Sequence, residues 1–152
     1  MRSDGGPRKG GVGNSSPIAF QRTHPWPEDR MTTNYVEAHQ HLEERLAQLG
    51  TELPGPMSGF ARLHKKAMED GALSGKTKEL MAVAISIAVH CEGCIAYHVH
   101  AAVAAGATRR ELLETIGVAI LMGGGPASVY AAHTLDAMDQ FLPVETAERS
   151  GA

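Results

Sequence analysis

The chain has few aromatic residues and no excess of basic charge. Phe, Trp and Tyr together make up 5% of the 152 residues, and the formal net charge is −3 at pH 7. Because nucleic-acid-binding domains usually carry a basic surface, this charge gives no reason to expect a nucleic acid partner. A core poor in aromatic residues and built from Ala, Leu, Ile, Val and Met is typical of closely packed helices.

Long apolar runs are also missing. The longest one, residues 80–89, has ten residues, whereas a membrane-spanning helix needs roughly 20. The N-terminal residues include no apolar segment of the kind found in a secretory signal. We therefore expect neither a membrane partner nor secretion.

Cysteine is limited to one pair, Cys91 and Cys94. A bridge between them would close a very short loop and so remove little entropy from the unfolded chain. A single close pair therefore indicates redox or metal chemistry in a reducing compartment, rather than a structural disulfide framework. The cytoplasm is the expected location.

Three regions differ in composition. Residues 1–30 are rich in Gly and Pro and have too little apolar surface to offset the entropy of ordering, which predicts a disordered or loosely ordered extension. Met31 is an alternative start, with residues 1–30 as an upstream extension of the reading frame. Residues 31–142 predict a single helical domain, and residues 143–152 a frayed tail.

The central region predicts an all-α fold of about six helices. Apolar residues recur at steps of three and four, interrupted by Gly and Pro, and no alternating strand pattern is found. The expected helices cover about residues 32–50, 57–71, 76–91, 91–106, 108–122 and 126–141, and residues 53–56 are expected to form a turn before the second helix. The third contains residues 80–89, apolar on every side apart from Ser86, and is expected to be a buried central helix. Thr108 and Glu111 fit a capping box at the start of the fifth.

The cysteine pair lies on one side of the fourth predicted helix together with a histidine. At about 100° per residue, Cys91, Cys94 and His98 fall within about 60° of one another, whereas His100 points away. The N-terminus of a helix stabilises a thiolate, and His98 can accept a thiol proton. A second cysteine can resolve a sulfenic acid into a disulfide. The residues alone favour redox chemistry and slightly favour Cys91 as the nucleophile.

Two other interpretations of this cluster stay open. Cys91, Cys94 and His98 could hold zinc with Glu79 or His100 as a fourth ligand. Structural zinc sites usually take a second ligand pair from elsewhere, however, and no other cysteine exists. The second interpretation is an inert buried pair with a surface histidine.

The spacing Glu79-x11-Cys91-x2-Cys94-x3-His98 resembles the alkylhydroperoxidase D-like branch of the carboxymuconolactone decarboxylase family. The resemblance covers about residues 55–140 and includes the glycine-rich segment 122–126. It implies an all-helical domain that assembles as a homotrimer or homohexamer. It also implies an oxidoreductase, a thiol-dependent peroxidase that reduces a hydroperoxide substrate with electrons from an unknown dithiol donor. Neither a cofactor nor a metal is expected.

The resemblance also assigns roles within the site. It implies that Cys94 is the peroxidatic cysteine, that Cys91 resolves it, and that His98 and Glu79 form the proton relay. The founding alkylhydroperoxidase has a histidine just before its second cysteine, where this chain has Gly93. Either a water or Glu92 substitutes for that histidine, or the relay is shorter and peroxidase turnover is weaker. Two alternatives remain: a decarboxylase or lactone-processing enzyme, and a non-enzymatic redox or stress-response module.

Overall fold

A computed structural model describes residues 33–142, and this part of the chain consists of helices and short connections. The helices are α1 (Tyr35–Glu52), α2 (Pro54–Met68), α3 (Gly75–Ala88), α4 (Glu92–Ala104) and α5 (Arg109–Phe141). The all-α prediction is confirmed. The predicted extension 1–30 and tail 143–152 lie outside the described residues.

The expected fifth and sixth helices are the two halves of α5. The halves meet at a kink, where Gly124 has the non-helical angles φ 68° and ψ −152° and Pro126 follows. This backbone conformation is essentially restricted to glycine. Gly123 lets Ala127 lie close to the backbone, because a Cβ at position 123 would be only 2.6 Å from the Cβ of Ala127. The glycine-rich segment therefore bends the chain as expected, although the helix continues on both sides.

Helix α2 begins earlier than expected. Residues 53–56 were predicted to be a turn, but Pro54 is the first residue of the helix. Proline is favoured there because its missing N–H would have no partner in the first helical turn. No residue of α2 is buried, and Phe60 and Leu63 are 60% and 64% exposed.

Helix α3 has one buried side and one exposed side. Val83 and Ile87 are fully buried, whereas Met81, Ile85 and Val89 beside them are at least half exposed. The prediction of a helix buried all round is therefore wrong for a single chain, since only one side of α3 packs against α4 and α5. Ser86, the one polar residue of the run, is buried, and its hydroxyl donates to the carbonyl of Ala82.

The core lies between α3, α4 and α5, and α1 closes it at one end. Its largest fully buried side chains come from all four of these helices: Tyr35, Val83, Ile87, Ile95, Val99, Leu112, Thr134 and Met138. By length and composition alone α5 could also cross a membrane. Core helices meet the same two criteria, and α5 carries eight buried residues, but only 22% of its most apolar stretch is buried in the single chain.

Candidate active site

The connection between α3 and α4 holds the cysteine pair at a helix start. His90 has a positive φ of 60° and turns the chain, and its ring stacks on Tyr130 with centroids 4.5 Å apart. Cys91 is the N-cap of α4, and its Sγ accepts a hydrogen bond from the N–H of Cys94 at 3.2 Å. The expected helix start at Cys91 is thus confirmed, and a backbone donor already faces the sulfur of Cys91.

Cys91 and Cys94 form a disulfide, with their Cα atoms 5.2 Å apart. Both residues are half-buried, so they are neither sealed in the core nor freely exposed. A pair that bonds at this position on a helix can alternate between dithiol and disulfide. In the disulfide form neither sulfur is a thiolate, so neither can act as the zinc ligand considered above.

Glu79 and His98 are brought together across the α3–α4 contact. Oε2 of Glu79 lies 2.8 Å from Nδ1 of His98, and Glu79 is only 8% exposed. A carboxylate at Nδ1 favours the tautomer that carries its proton there, leaving Nε2 for proton exchange. His98 follows Cys94 by one helical turn, so the two side chains are neighbours on the surface of α4.

His64 of α2 also reaches this pair, and the sequence reasoning missed it. Its ring centroid lies 6.2 Å from that of His98 and 5.7 Å from that of Tyr97. Its Nε2 is shielded from solvent and has no hydrogen-bond partner within residues 33–142. One signal was present: His64 follows Met57 by seven residues and precedes Met68 by four, which puts it on the inward side of α2.

Tyr97 packs among these side chains. Its ring lies 5.1 Å from that of His98 and 5.9 Å from that of His39. Burial raises the pKa of the Tyr97 hydroxyl, and the charges of Glu79 and Glu43 raise it further. The residue therefore stays protonated at neutral pH.

Glu92 has its own partners on the other side of α4. It accepts a hydrogen bond from the Tyr35 hydroxyl at 2.7 Å and also pairs with Nδ1 of His133. Burial raises the pKa of Tyr35, and the hydrogen bond to Glu92 adds to this effect. Because both carboxylate oxygens are engaged there, Glu92 would have to leave its partners to replace the histidine missing at Gly93.

His100 is separate from the site, as its position on the helix predicted. Its ring lies 4.1 Å from that of His39 and 5.2 Å from that of Phe141. His133 of α5 is likewise outside the site and pairs with Glu92. The structure therefore joins Glu79 to His98 beside the cysteine pair and leaves His100 out.

The protein is an all-helical domain with a cysteine pair at the start of α4 and a Glu79–His98 pair beside it. The family model for the carboxymuconolactone decarboxylase family matches residues 54–137. The chain belongs to this family, which confirms the resemblance.

Individual relatives agree with this assignment. A carboxymuconolactone decarboxylase family protein from Legionella pneumophila, solved in its apo form, has 45% identity and a TM-score of 0.68 over 70% of this chain and 96% of its own. A family protein from Thermotoga maritima, for which a part in the antioxidative response has been suggested, has 27% identity and a TM-score of 0.60 over 71% of this chain and 89% of its own. An uncharacterized protein of Cupriavidus necator is 36% identical over 72% of this chain and 96% of its own length.

Proposed function

We propose that the protein is a thiol-dependent peroxidase that reduces hydroperoxides through a Cys91–Cys94 dithiol and disulfide cycle. The observation that carries the proposal is the Glu79–His98 pair, joined at 2.8 Å, one helical turn beyond a cysteine pair that forms a disulfide. The suggested antioxidative role of the Thermotoga maritima relative supports the same chemistry.

The first step oxidises Cys94. His98, held by Glu79, takes the proton of the Cys94 thiol, and the resulting thiolate attacks an oxygen of the hydroperoxide. A sulfur–oxygen bond forms while the oxygen–oxygen bond breaks, so the sulfur becomes a sulfenic acid. The proton held by His98 passes to the departing alkoxide, which leaves as an alcohol.

The second step uses Cys91 to resolve this intermediate. The Cys91 sulfur attacks the sulfenic sulfur of Cys94, forming the disulfide while the sulfur–oxygen bond breaks. The hydroxide that leaves takes the proton of the Cys91 thiol and becomes water. An external dithiol then reduces the disulfide by exchange and is itself oxidised to a disulfide. The backbone N–H of Cys94, which donates to the Cys91 sulfur in the disulfide form, stabilises the negative charge that develops on this sulfur as its proton leaves.

The assignment of Cys94 as the attacking sulfur follows the resemblance and fits the position of His98. Cys94 and His98 are four residues apart within α4, whereas Cys91 is the N-cap just outside it. Gly93 offers no side chain for the relay, so the proposal assigns proton transfer to His98 and Glu79 alone.

We further propose that the chain works as a homotrimer or homohexamer in the cytoplasm. Large apolar side chains remain exposed on three helices of the single chain: Phe60, Leu63, Met81, Ile85, Val89, Val118, Leu121 and Met122. Apolar exposure on this scale marks an interaction surface. A second copy of the chain fits it, because Met81, Ile85 and Val89 give the exposed side of α3 an apolar surface that needs an equally apolar partner.

A thiol titration tests the peroxidase proposal. The reduced protein receives one equivalent of cumene hydroperoxide, with Cys91→Ser and Cys94→Ser treated in parallel. We expect the parent to lose two thiols together, and Cys91→Ser to form a sulfenic acid that dimedone traps. Cys94→Ser should react far more slowly than either.

Three results would overturn all or part of this assignment. If peroxide leaves both thiols of the parent free at neutral pH, the protein is not a thiol peroxidase of this kind. Retained decarboxylase or lactone-processing activity in Cys94→Ser would favour the chemistry that gives the family its name. If Cys91→Ser is inert while Cys94→Ser reacts, the roles of the two cysteines are reversed.

A further inference from the structure

Three potential metal ligands meet beside the cysteine pair, and the proposed relay uses only two of them. His64 of α2, Glu79 of α3 and His98 of α4 each offer a nitrogen or oxygen atom, and these atoms lie within 4.8 Å of one another. Nε2 of His64 is shielded from solvent without a hydrogen-bond partner within residues 33–142. A buried polar atom of this kind needs a partner that the peroxidase steps do not supply.

We propose that His64, Glu79 and His98 bind a divalent transition metal, with Zn²⁺ as the best-matched ion. Two imidazole nitrogens and one carboxylate oxygen are a donor set that zinc uses, with a fourth position left open for water. Mg²⁺ and Ca²⁺ prefer oxygen ligands only, so two histidines argue against them.

The three ligand atoms must move closer together to bind one zinc ion. Tetrahedral zinc with bonds of about 2.0–2.2 Å places its ligand atoms roughly 3.4 Å apart, whereas the widest pair here is within 4.8 Å. Glu79 and His98 are already 2.8 Å apart, so the ion replaces the proton between them and they separate slightly. His64, on α2, makes the larger movement.

An entry path leads to the carboxylate. Glu79 lines a groove that is also lined by Glu69, Asp70 and Lys76. The ammonium group of Lys76 is paired with Glu111 at 2.7 Å, which reduces its repulsion of an incoming cation. A small hydrated cation can therefore reach Glu79 from solvent.

Metal binding and proton transfer would exclude each other. An ion that occupies Glu79 and His98 removes the base proposed for Cys94, so zinc would inhibit peroxide reduction. This consequence rests on the proposed function, whereas the binding itself does not. The cysteines are not required as ligands, so the disulfide form should bind the metal as well.

The test uses the full chain in its disulfide form, which has no free thiol. Zn²⁺ is titrated by calorimetry, and Co²⁺ is followed by visible absorption, in the parent, His64→Gln, His64→Ala, Glu79→Gln and His98→Ala. The control is His41→Ala, an exposed histidine on α1 that contacts Arg45. We expect one ion per chain, a tetrahedral Co²⁺ spectrum without a thiolate charge-transfer band, and affinity at least tenfold weaker in each ligand variant. Loss of a group that merely orients a ligand typically costs about 10- to 100-fold. Circular dichroism confirms that each variant is folded.

Several outcomes would overturn the proposal. These are no saturable binding in the parent, an affinity unchanged in both His64 variants, and an equal loss in His41→Ala. Binding that fails while peroxide still oxidises both thiols overturns the metal site alone. Binding that succeeds while peroxide leaves the thiols free overturns the peroxidase alone.

Discussion

Nδ1 of His98 lies 2.8 Å from Oε2 of Glu79, and these two side chains come from different helices. The buried carboxylate accepts the Nδ1 proton and so orients the imidazole, and the relay should therefore depend on the carboxylate of Glu79. We predict that Glu79→Gln lowers the second-order rate of Cys94 oxidation by about 100-fold, the lower end of what general acid–base catalysis contributes.

Stopped-flow measurement of peroxide-driven thiol loss, repeated across pH, checks this prediction. Glu69→Gln is a matched control, since Glu69 lines the same groove and its carboxylate pairs with Lys66 on the surface of the described part of the chain. A purely structural role for Glu79 would leave the shape of the pH profile unchanged. A Glu79→Gln rate within twofold of the parent would contradict the relay.

The kink in α5 gives a stability prediction. Gly124 has a positive φ of 68°, so Gly124→Ala should lower the free energy of unfolding by about 1–3 kcal/mol. Gly117 lies in the regular part of the same helix, and a Cβ there would meet nothing within 4 Å. Gly117→Ala should therefore raise the free energy of unfolding by about 0.5–1 kcal/mol. Urea denaturation of both variants measures these changes in the free energy of unfolding. Equal changes in the two variants would contradict the assigned role of Gly124.

The contact between the starts of α3 and α5 predicts a dependence on acid. The hydrogen bond from Lys76 and the backbone N–H of Thr108 lower the pKa of Glu111 to about 2 from an ordinary 4.5. The charged carboxylate therefore stabilises the fold fully above pH 4.5, and this contribution is lost as the pH falls through about 2. We expect Glu111→Gln to lower Tm near neutral pH and the difference from the parent to vanish in strong acid.

Scanning calorimetry at several pH values measures this difference. Glu114→Gln is the control, because Glu114 is exposed and pairs only with Arg110, one turn before it on the same helix. Such surface pairs contribute little to stability. A Tm difference between Glu111→Gln and the parent that stays constant down to strong acid would show that the loss is not electrostatic.

Helical periodicity and capping patterns predicted the helices and the shared side of Cys91, Cys94 and His98 on α4, because both depend on residues close in sequence. The capping box of Thr108 and Glu111 and the shared side of Cys94 and His98 follow from the helical period alone. Glu79 was first considered as a fourth zinc ligand, and its place in the relay came only from the resemblance, since nothing in a helical period places an α3 residue against an α4 residue. His64 was missed for the same reason.

The two wrong predictions, the start of α2 and the burial of α3, have different physical causes. Pro54 was assigned to a turn because proline breaks helices in their interior, although it is well tolerated at the first position. Ile85 was expected to be buried because residues 80–89 of α3 are apolar on every side of the helix apart from Ser86. In a single chain, however, Ile85 is 59% exposed. Apolar periodicity records every surface that becomes buried, and it does not distinguish a core from a contact between subunits.

Assembly is therefore a prediction in its own right. Leu121 is 80% exposed and Met122 is 79% exposed, just before the kink of α5. A charge in an apolar contact must be buried without a partner, so Leu121→Lys should shift the protein toward single chains. Light scattering coupled to gel filtration measures the mass, with Glu44→Lys on the polar side of α1 as control. A parent that runs as a single chain would contradict the trimer or hexamer.

The last prediction concerns His39. Its ring centroid lies 4.1 Å from that of His100, and its Nδ1 lies 3.7 Å from Oε2 of Glu43. Burial lowers the pKa of His39 below 6.5, the charge of His100 lowers it further, and Glu43 opposes both effects. The unfolded chain then binds more protons than the folded chain between the two pKa values. Stability should therefore fall as the pH drops through about 6.5 toward the lower folded value.

His39→Gln removes this titration, so its free energy of unfolding should change less between about pH 7.5 and about pH 5.5 than that of the parent. His100→Gln should weaken the parent's dependence partly, because one of the two causes of the lowered pKa is gone. His41→Gln, on the same helix but exposed, should retain the full dependence. Urea denaturation at both pH values compares the four proteins, and an unchanged slope in His39→Gln would assign the acid sensitivity to another group.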